Sequence, residues 1–302
     1  TIGVLGRIAV VIDRMGAAAF MTRGSRNDGC LGGFDQEVHL VAQLGSDGDR
    51  HAGLVDAVFE QLGELAVRPL ATAVDQTAER IRATGAAAVA LRADAAEVAG
   101  IEALITLAGN EFGPVDIYVA NAGIMGAIGL GDEDAWDRII DINLRAHVRA
   151  ARLLVPHWKS TGAGYFVAVA SAAGLLTQIG GAGYAVTKHA AVGFAEWLAV
   201  TYGDDGIGVS CVCPMAVDTP LMASIRDAAD PGARLAANAV LRAGATVTPE
   251  DVAALTVSAV RSGNFLVLPH PEVLDMYRGK GADYDRWISG MRRYRRALES
   301  ES

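Results

Sequence analysis

The chain has 302 residues, of which 51% are hydrophobic, and a formal net charge of −9. This length suits one large domain, or one domain with extensions, and the apolar content supplies a sizeable core. The sequence pI near 5.2 argues against a nucleic-acid-binding protein, which needs a clustered basic surface. Three cysteines cannot form a disulfide framework, and Cys211 and Cys213, two residues apart, are expected to be buried thiols on one strand face.

The first 36 residues carry little pattern apart from an apolar run at 7–12, which is a candidate strand. Residues 21–35 are polar and glycine-rich. We therefore interpret 1–36 as an extension, 37–270 as the domain and 271–302 as a tail. No signal peptide opens the chain, which predicts a soluble, cytoplasmic protein.

From residue 37 onward, short apolar runs alternate with amphipathic stretches, as in βαβ units. Predicted strands cover 38–44, 64–68, 87–92, 115–120, 165–171, 208–213 and 265–268. Predicted helices cover 52–62, 70–84, 97–112, 134–159 (one long helix or two abutting ones) and 184–202. A further helix is predicted to begin at Thr248. Residues 222–246 are predicted to form a mobile cover. The fold class predicted is α/β: a doubly wound parallel sheet (Rossmann-like) in a single domain, with the N-terminal extension and a C-terminal helical tail.

One uncharged stretch, 160–187, has the length of a membrane span. It contains six glycines, a glutamine and several hydroxyl side chains. A buried strand followed by a loop explains this composition better than a bilayer helix does.

Three residues around that loop suggest catalysis. Ser171 stands at the end of a predicted strand, and Lys188 follows Tyr184 by four residues on the same face of a predicted helix. An ammonium beside a phenol favours the phenolate and lowers the phenol pKa. A serine hydroxyl aimed at the same point can hold a carbonyl oxygen while the tyrosine gives or takes a proton, which predicts a general acid/base site.

This order and spacing of Ser171, Tyr184 and Lys188 resemble the active site of the short-chain dehydrogenase/reductases. The resemblance implies Tyr184 as general acid/base, Ser171 as the hydroxyl that orients the substrate, and Lys188 as the residue that lowers the tyrosine pKa and binds the nicotinamide ribose. Asn143 lies 28 residues before Ser171 and resembles the family's fourth catalytic residue. Its implied role is to hold a water near Lys188 for proton relay. The resemblance covers roughly residues 37–270.

The same resemblance implies cofactor contacts at the ends of three predicted strands: Asp94, Asn121, Ala122, Gly123, Val217 and Thr219. Residues 121–123 resemble the NAG motif that lines the adenine side, and Asp94 resembles the acidic residue that contacts adenine. Residues 214–219 resemble the PGxxxT segment that clasps the nicotinamide carboxamide, with Met215 in place of glycine. Tyr184 and Lys188 complete this set.

The phosphate loop departs from the family pattern, TGxxxGxG. Counting back from Asn121 places the loop at 44–51, where Gly45 takes the first glycine position and Gly48 lies inside the loop. Asp49 and His51 occupy the other glycine positions, where side chains take the room that a pyrophosphate needs. In an alternative alignment the first strand is 7–12 and the turn is 13–16, which lacks the motif too.

Cofactor choice depends on the end of the second strand, where an acidic residue would favour NAD. This chain has Arg68 there, and an arginine pairs with the 2′-phosphate of NADP. NADP or NAD is therefore expected, with NADP favoured. No metal is expected, because His147, His157 and His189 lack ligands at useful spacing.

We therefore expect an NAD(P)-dependent oxidoreductase that interconverts a secondary alcohol and a ketone. The alternatives are a non-catalytic binding or scaffold protein with a degraded dinucleotide loop, and an epimerase or dehydratase that uses the same tyrosine and lysine. The expected partner is a small alcohol or ketone, with neither nucleic acid nor membrane. Helices 134–159 and 184–202 are apolar around much of their circumference, which predicts a homodimer or homotetramer.

Overall fold

The computed structural model describes residues 7–12, 35–36, 38–43, 70–83 and 86–300. The strands are β1 (Arg7–Ile12), β2 (Asp35–Gln36), β3 (Val38–Gln43), β4 (Ala88–Arg92), β5 (Ile117–Ala120), β6 (Gly123–Ile124), β7 (Gly164–Val169), β8 (Ile207–Val212) and β9 (Leu266–Val267). The α-helices are α1 (Leu70–Ala83), α2 (Val98–Phe112), α3 (Glu133–Ile140), α4 (Ala146–Thr161), α5 (Ala182–Tyr202), α6 (Pro220–Arg226), α7 (Pro231–Leu241), α8 (Pro249–Ser262), α9 (Glu272–Ala282) and α10 (Tyr284–Ser300). Strand and helix alternate through most of this part of the chain, as predicted.

The main sheet has seven strands in the order β4-β1-β3-β5-β7-β8-β9. Strands β5, β7, β8 and β9 pair in parallel, and β1 pairs in parallel with β4. Only β3 among these strands runs the other way, antiparallel to β1 and to β5. The carboxyl ends of all the others therefore meet at one edge, where side chains of an α/β protein assemble a site.

The direction of β3 corrects one prediction. As the first strand of a βαβ unit it would run parallel to β5, but Ala42 pairs with Ile117 and His39 with Ala120. Its last residue, Gln43, thus lies at the edge opposite to Asn121, away from where a phosphate loop must begin. An apolar run predicts a strand but not its direction, because direction is fixed by backbone pairing. Residues 44–51, with Gly45 and Gly48, lie outside the described residues, as do Arg68 and the predicted helix 52–62 and strand 64–68.

Strand β1 lies inside the sheet, although its sequence falls in the stretch that we separated as an extension. Ile12 pairs with Arg92 at the end of β4, so β1 ends at the same edge as the strands that follow. The alternative phosphate turn, 13–16, therefore starts from the correct edge, while its own residues are outside the described part of the chain. The boundary at residue 37 does not separate β1 from the sheet.

Helices cover both faces of the sheet. Along β7, Phe166 and Ala168 join one core cluster with side chains of α2, α4 and α5, whereas Tyr165 and Val167 join another with α1 and α8. All four residues are at most 5% exposed, so β7 is buried on both faces, as its uncharged sequence predicted. Burying a side chain such as Phe166 stabilises the fold by about 1.5–3 kcal/mol. Rigid packing fixes the position of the residues that follow the strand.

The C-terminal tail is helical, as predicted, and docks on the domain. Lys280 on α9 donates a hydrogen bond to the Leu175 carbonyl oxygen (2.6 Å). Tyr294 on α10 donates one to the Ala239 carbonyl oxygen at the end of α7 (2.9 Å). The predicted cover at 222–246 thus contains two helices, α6 and α7, and α10 rests on the second. None of the helices in the described residues combines the length and apolarity that crossing a bilayer requires.

Candidate active site

Ser171 lies two residues beyond the end of β7, at the start of a short 3₁₀ turn, Ala172–Gly174. Its hydroxyl oxygen accepts a hydrogen bond from the Ala173 amide (3.1 Å), and the hydroxyl donates one to the Pro214 carbonyl oxygen (3.3 Å). The residue is 8% exposed. Contacts to the turn after β7 and to the segment after β8 therefore fix the orientation of the hydroxyl.

Tyr184 and Lys188 stand one turn apart near the beginning of α5, which starts at Ala182. Gly180 before this helix has a φ of +92°, a conformation that glycine adopts without the strain of a Cβ. The turn brings the Tyr184 phenol into a hydrogen bond with Ser171, while Lys188 Nζ lies 5.7 Å from the centroid of the tyrosine ring. The three residues that the sequence singled out therefore meet at one place.

The electrostatics differ from the expectation for a phenol beside an ammonium. Burial raises the pKa of Tyr184 above its ordinary value, the Ser171 hydrogen bond lowers it, and nearby Cys213 raises it. Burial also lowers the pKa of Lys188 from 10.5 to about 8. Desolvation is the largest influence on both pKa values, because burial disfavours the charged form of each residue. The expected depression of the tyrosine pKa is therefore wrong for this arrangement.

The Lys188 ammonium is buried and tied to the sheet. Nζ donates a hydrogen bond to the carbonyl oxygen of Val169, the last residue of β7 (3.0 Å). On another side lies Gly123, where a Cβ would come within 3.2 Å of Lys188 Nζ and 3.4 Å of Asn143 Oδ1. Glycine at position 123 thus lets the backbone approach the ammonium closely.

Asn143 lies in a π-helical turn, Asp141–Arg145, which joins α3 to α4. This turn resolves the predicted helix 134–159 into two abutting helices. The Asn143 side chain is fully buried, accepts a hydrogen bond from the Ile124 amide (2.8 Å) and donates to the Ile124 carbonyl oxygen (2.9 Å) and to Thr187 Oγ1 (3.1 Å). It thereby holds the segment after β5 against α5, one residue from Lys188. Such π turns are frequent at functional sites.

Helix α5 also packs tightly against the turn that follows Ser171. A Cβ on Gly174 would collide with the Lys188 carbonyl oxygen and lie 2.9 Å from Val192 Cγ2. Only glycine allows this approach of the turn to the helix without displacement. Gly174 therefore sets the distance between Ser171 and the helix that carries Tyr184.

The predicted cofactor residues within the described part of the chain lie after three strand ends at the same edge: Asp94, Asn121, Ala122, Gly123, Val217 and Thr219. Asp94 Oδ1 accepts a hydrogen bond from the Ala96 amide (2.8 Å), which shapes the entry to α2. Thr219 caps α6 through the Met222 amide (3.3 Å), and Val217 forms an isolated parallel bridge with Val247. Their roles in cofactor binding stay predictions.

A histidine that the sequence analysis missed supports the segment after β8. His270 is 1% exposed, and its Nδ1 accepts a hydrogen bond from the Met215 amide (3.1 Å). Nε2 lies 3.1 Å from the Ala216 carbonyl oxygen and 3.0 Å from that of Ala245, so it carries the proton. These partners are 25 to 55 residues away in sequence, and no local spacing indicates them.

Ser171 and Tyr184 line a cavity of about 690 Å³. Five methionines line it too: Met125, Met215, Met222, Met276 and Met291. The cavity extends from the end of β7 to helix α10, so the tail forms part of its wall. This volume lies within the range typical of small-molecule sites. Met215 and Met222, which follow β8, thus lie at the site.

Two cysteines, one within β8 and one directly after it, are buried thiols, as predicted. Cys211 and Cys213 are free and fully buried, with Sγ atoms 3.8 Å apart on one face. Both cysteines lie near Lys188 and act to raise its pKa. Burial lowers that pKa and has the larger effect.

Comparison with known proteins agrees with this geometry. The family model described as short chain dehydrogenase matches residues 53–230. Cis-4-hydroxycyclohexanecarboxylate dehydrogenase of Sinomonas cyclohexanicum is 32% identical over 212 residues, which is 69% of this chain and 84% of the relative. Cyclohexanol dehydrogenase of an Acinetobacter species is 31% identical over 199 residues, 65% of this chain and 78% of the relative.

Among solved structures, a short-chain dehydrogenase/reductase from Burkholderia phymatum in complex with NAD is similar, with a TM-score of 0.64 and 28% identity. The similarity covers 71% of this chain and 82% of that one. The family match extends over more than half of the chain and includes Asn143, Ser171, Tyr184 and Lys188. The chain belongs to the short-chain dehydrogenase/reductase family.

Proposed function

We propose that the protein is an NAD(P)-dependent oxidoreductase that interconverts a secondary alcohol and a ketone. The observation that carries this proposal is the meeting of Ser171, Tyr184 and Lys188 at one end of a cavity large enough for a small molecule. The two relatives named above are dehydrogenases of hydroxylated six-membered rings, which supports a CH–OH group as the site of reaction.

The chain's own residues supply the positioning and the proton chemistry. Ser171, whose hydroxyl is oriented by Ala173 and Pro214, holds the substrate oxygen next to the Tyr184 phenol. Tyr184 accepts the hydroxyl proton during oxidation and returns it during reduction. A tyrosine with a raised pKa is protonated at neutral pH, so the resting enzyme is ready for ketone reduction. Alcohol oxidation needs the phenolate and therefore becomes faster as the pH rises.

The residues around Lys188 fit a nicotinamide nucleotide. An ammonium has three N–H donors, and within the described part of the chain Lys188 donates one hydrogen bond, to Val169, which leaves donors for ribose hydroxyls. Gly123 keeps the neighbouring backbone free of a side chain at that point. When bound, the nicotinamide supplies the acceptor or donor of the hydride. Asp94, Asn121, Ala122, Val217 and Thr219 are the further contacts that we propose on this chain.

A matched pair of titrations tests the cofactor part of the proposal. NADH and NADPH are added separately to the purified protein, and the nucleotide fluorescence is followed to saturation. We expect saturable binding of at least one of them, and Arg68 leads us to expect tighter binding of NADPH. Failure of both to bind would favour the alternative of a non-catalytic protein with this fold.

We also propose that the protein forms a homodimer or homotetramer through α4 and α5. On α5, Trp197 is 52% exposed and Val200 is 86% exposed. Both side chains are large and apolar, and they lie on one side of the helix together with the half-exposed Val186. A second copy that covers this face would remove their apolar surface from water.

A further inference from the structure

The cavity that contains Ser171 and Tyr184 has a charge of the opposite sign to the chain as a whole. Among the residues that the structure describes, its charged lining consists of three arginines, Arg242, Arg286 and Arg293, and one carboxylate, Asp283. The chain as a whole carries a net charge of −9. An excess of positive charge at one cavity of an acidic protein indicates an anionic ligand.

Helix α10 holds two of these arginines on the face that lines the cavity. Arg286 and Arg293 are seven residues apart, so they project on the same side, two turns or about 10 Å from each other along the helix. Tyr294 fixes this helix to α7 through its hydrogen bond to Ala239, and Trp287 packs against the main core cluster. The two guanidinium groups are therefore carried by an element whose position is fixed.

Neither of these guanidinium groups is neutralised within the described residues. Arg286 and Arg293 form no ion pair there, whereas Arg295, on the outer side of the same helix, pairs with Glu299 at 2.7 Å. Asp283, which also lines the cavity, accepts a hydrogen bond from the Arg286 backbone amide (2.9 Å). Its charge thus sits at the beginning of α10, and both arginine side chains are left for a ligand.

The rest of the lining gives the cavity two distinct ends. Ser171, Ala172, Ala173 and Leu176 are buried and form its floor together with Tyr184, while the five methionines are half-buried and line its walls. Arg242, Arg286 and Arg293 are exposed and therefore lie at its mouth. A ligand that fills the cavity meets proton-transfer chemistry at the floor, apolar walls, and guanidinium groups at the mouth.

We infer that the substrate is a secondary alcohol on a hydrocarbon skeleton that also bears a carboxylate, held at the cavity mouth by Arg286 and Arg293. This inference rests on the proposed function for the reaction at the floor of the cavity. Guanidinium groups present planar paired donors that match the two oxygens of a carboxylate. Apolar side chains bind the skeleton between the two ends, and flexible methionines fit its shape.

The test compares hydroxy acids with their neutral amides. A series of aliphatic and alicyclic secondary hydroxy acids of increasing length is assayed for oxidation, each beside its primary amide. We expect the best acid to exceed its amide by about tenfold or more in kcat/KM, the factor typical of a hydrogen-bonded charge. The double variant Arg286→Gln, Arg293→Gln should lose this preference, so that its kcat/KM for each acid falls to about the value for the matching amide. Arg292→Gln, an exposed neighbour outside the cavity lining, should keep the preference.

A binding measurement separates this inference from the proposed function. The corresponding acids without the hydroxyl group, and their amides, are titrated into the protein alone while the fluorescence of Trp287, which lines the cavity, is followed. Arginine-dependent preference for the acids without any alcohol oxidation would keep the anion site and overturn the proposed function. Oxidation of amides as efficient as that of acids at every length, or a preference that survives the double variant, would overturn the inference.

Discussion

Lys188 donates a hydrogen bond from its buried ammonium to the Val169 carbonyl oxygen, so the cation on α5 is fixed to the end of β7. Ser171 follows Val169 by two residues, and Gly174 packs directly on the backbone of Lys188. The end of β7, the turn that follows it and helix α5 therefore form one packed unit. The geometry of the site accordingly depends on the core that holds β7.

Replacing Tyr184 by phenylalanine removes only the phenol oxygen. We expect turnover to fall by on the order of 10²-fold or more, because in the proposed mechanism Tyr184 takes the proton of the substrate hydroxyl. The fold and the affinity for NADH or NADPH should stay nearly unchanged. Tyr277→Phe, an exposed residue outside the cavity lining, is the matched control and should keep full activity. Equal turnover in Tyr184→Phe and the parent would remove Tyr184 from the mechanism.

Lys188→Met should make the protein inactive but more stable at neutral pH. Burial holds the lysine pKa at about 8, below its ordinary value of 10.5, so the charged form is disfavoured in the folded state by roughly 3 kcal/mol. The lost hydrogen bond to Val169 offsets about 1 kcal/mol of the gain, which leaves roughly 2 kcal/mol.

The stability that Lys188→Met gains over the parent should depend on pH in one direction. Between about pH 8 and pH 10.5 the unfolded chain binds more protons than the folded one, so the parent gains stability as the pH rises through this window. The advantage of Lys188→Met should therefore be full below pH 8 and shrink above it. Urea unfolding at several pH values measures this, with Lys159→Met as control, since Asp205 raises the pKa of that exposed lysine. A Lys188→Met protein less stable than the parent at pH 7 would contradict the prediction.

Gly174→Ala should impair catalysis by displacing helix α5. The added methyl group collides with the Lys188 backbone, and the helix cannot move without shifting Tyr184 relative to Ser171. A shift of about 1 Å at such a site costs on the order of 10²-fold in rate. Gly109→Ala, in α2 with no atom near the added methyl group, should leave activity unchanged and stabilise its helix by about 0.5–1 kcal/mol. Full activity in Gly174→Ala would show that the turn adapts.

The oligomer can be tested on the exposed face of α5. Val200→Glu introduces a charge into the proposed interface, so we expect sedimentation to show a dimer or tetramer for the parent and a smaller species for the variant. Leu130→Glu, at a residue that is 79% exposed but lies outside α4 and α5, should leave the assembly intact. A parent protein that is monomeric at micromolar concentration would refute this prediction.

The meeting of Ser171, Tyr184 and Lys188 at one place was predictable because the sequence signals for it are local. Ser171 follows an uncharged run, and Tyr184 and Lys188 share one helix face, so strand burial and helical spacing are enough to bring them together. The sheet strands 115–120, 165–171 and 208–213 were predicted within two residues of their observed bounds for the same reason.

Long-range contacts were not predictable. Lys280 reaches Leu175 across 105 residues, and His270 reaches the segment after β8 across 55, so neither contact leaves a periodic trace in sequence. The direction of β3 depends on which neighbours it pairs with, and the raised pKa of Tyr184 depends on burial created by the whole fold. Two arginines of α10 line the cavity because the fold packs this helix beside it, and no pattern within the tail indicates that position.

Transfer of deuterium from substrate to nucleotide tests most directly the central claim, that the protein moves a hydride between a secondary alcohol and NAD(P). A secondary alcohol deuterated at its carbinol carbon is incubated with the protein and NAD⁺ or NADP⁺, and the reduced nucleotide is examined by mass spectrometry. The account predicts that the deuterium appears in the nicotinamide ring, and that Tyr184→Phe prevents this transfer. Ketone formation with the deuterium released to water, or no transfer from any secondary alcohol to either nucleotide that the protein binds, would contradict it.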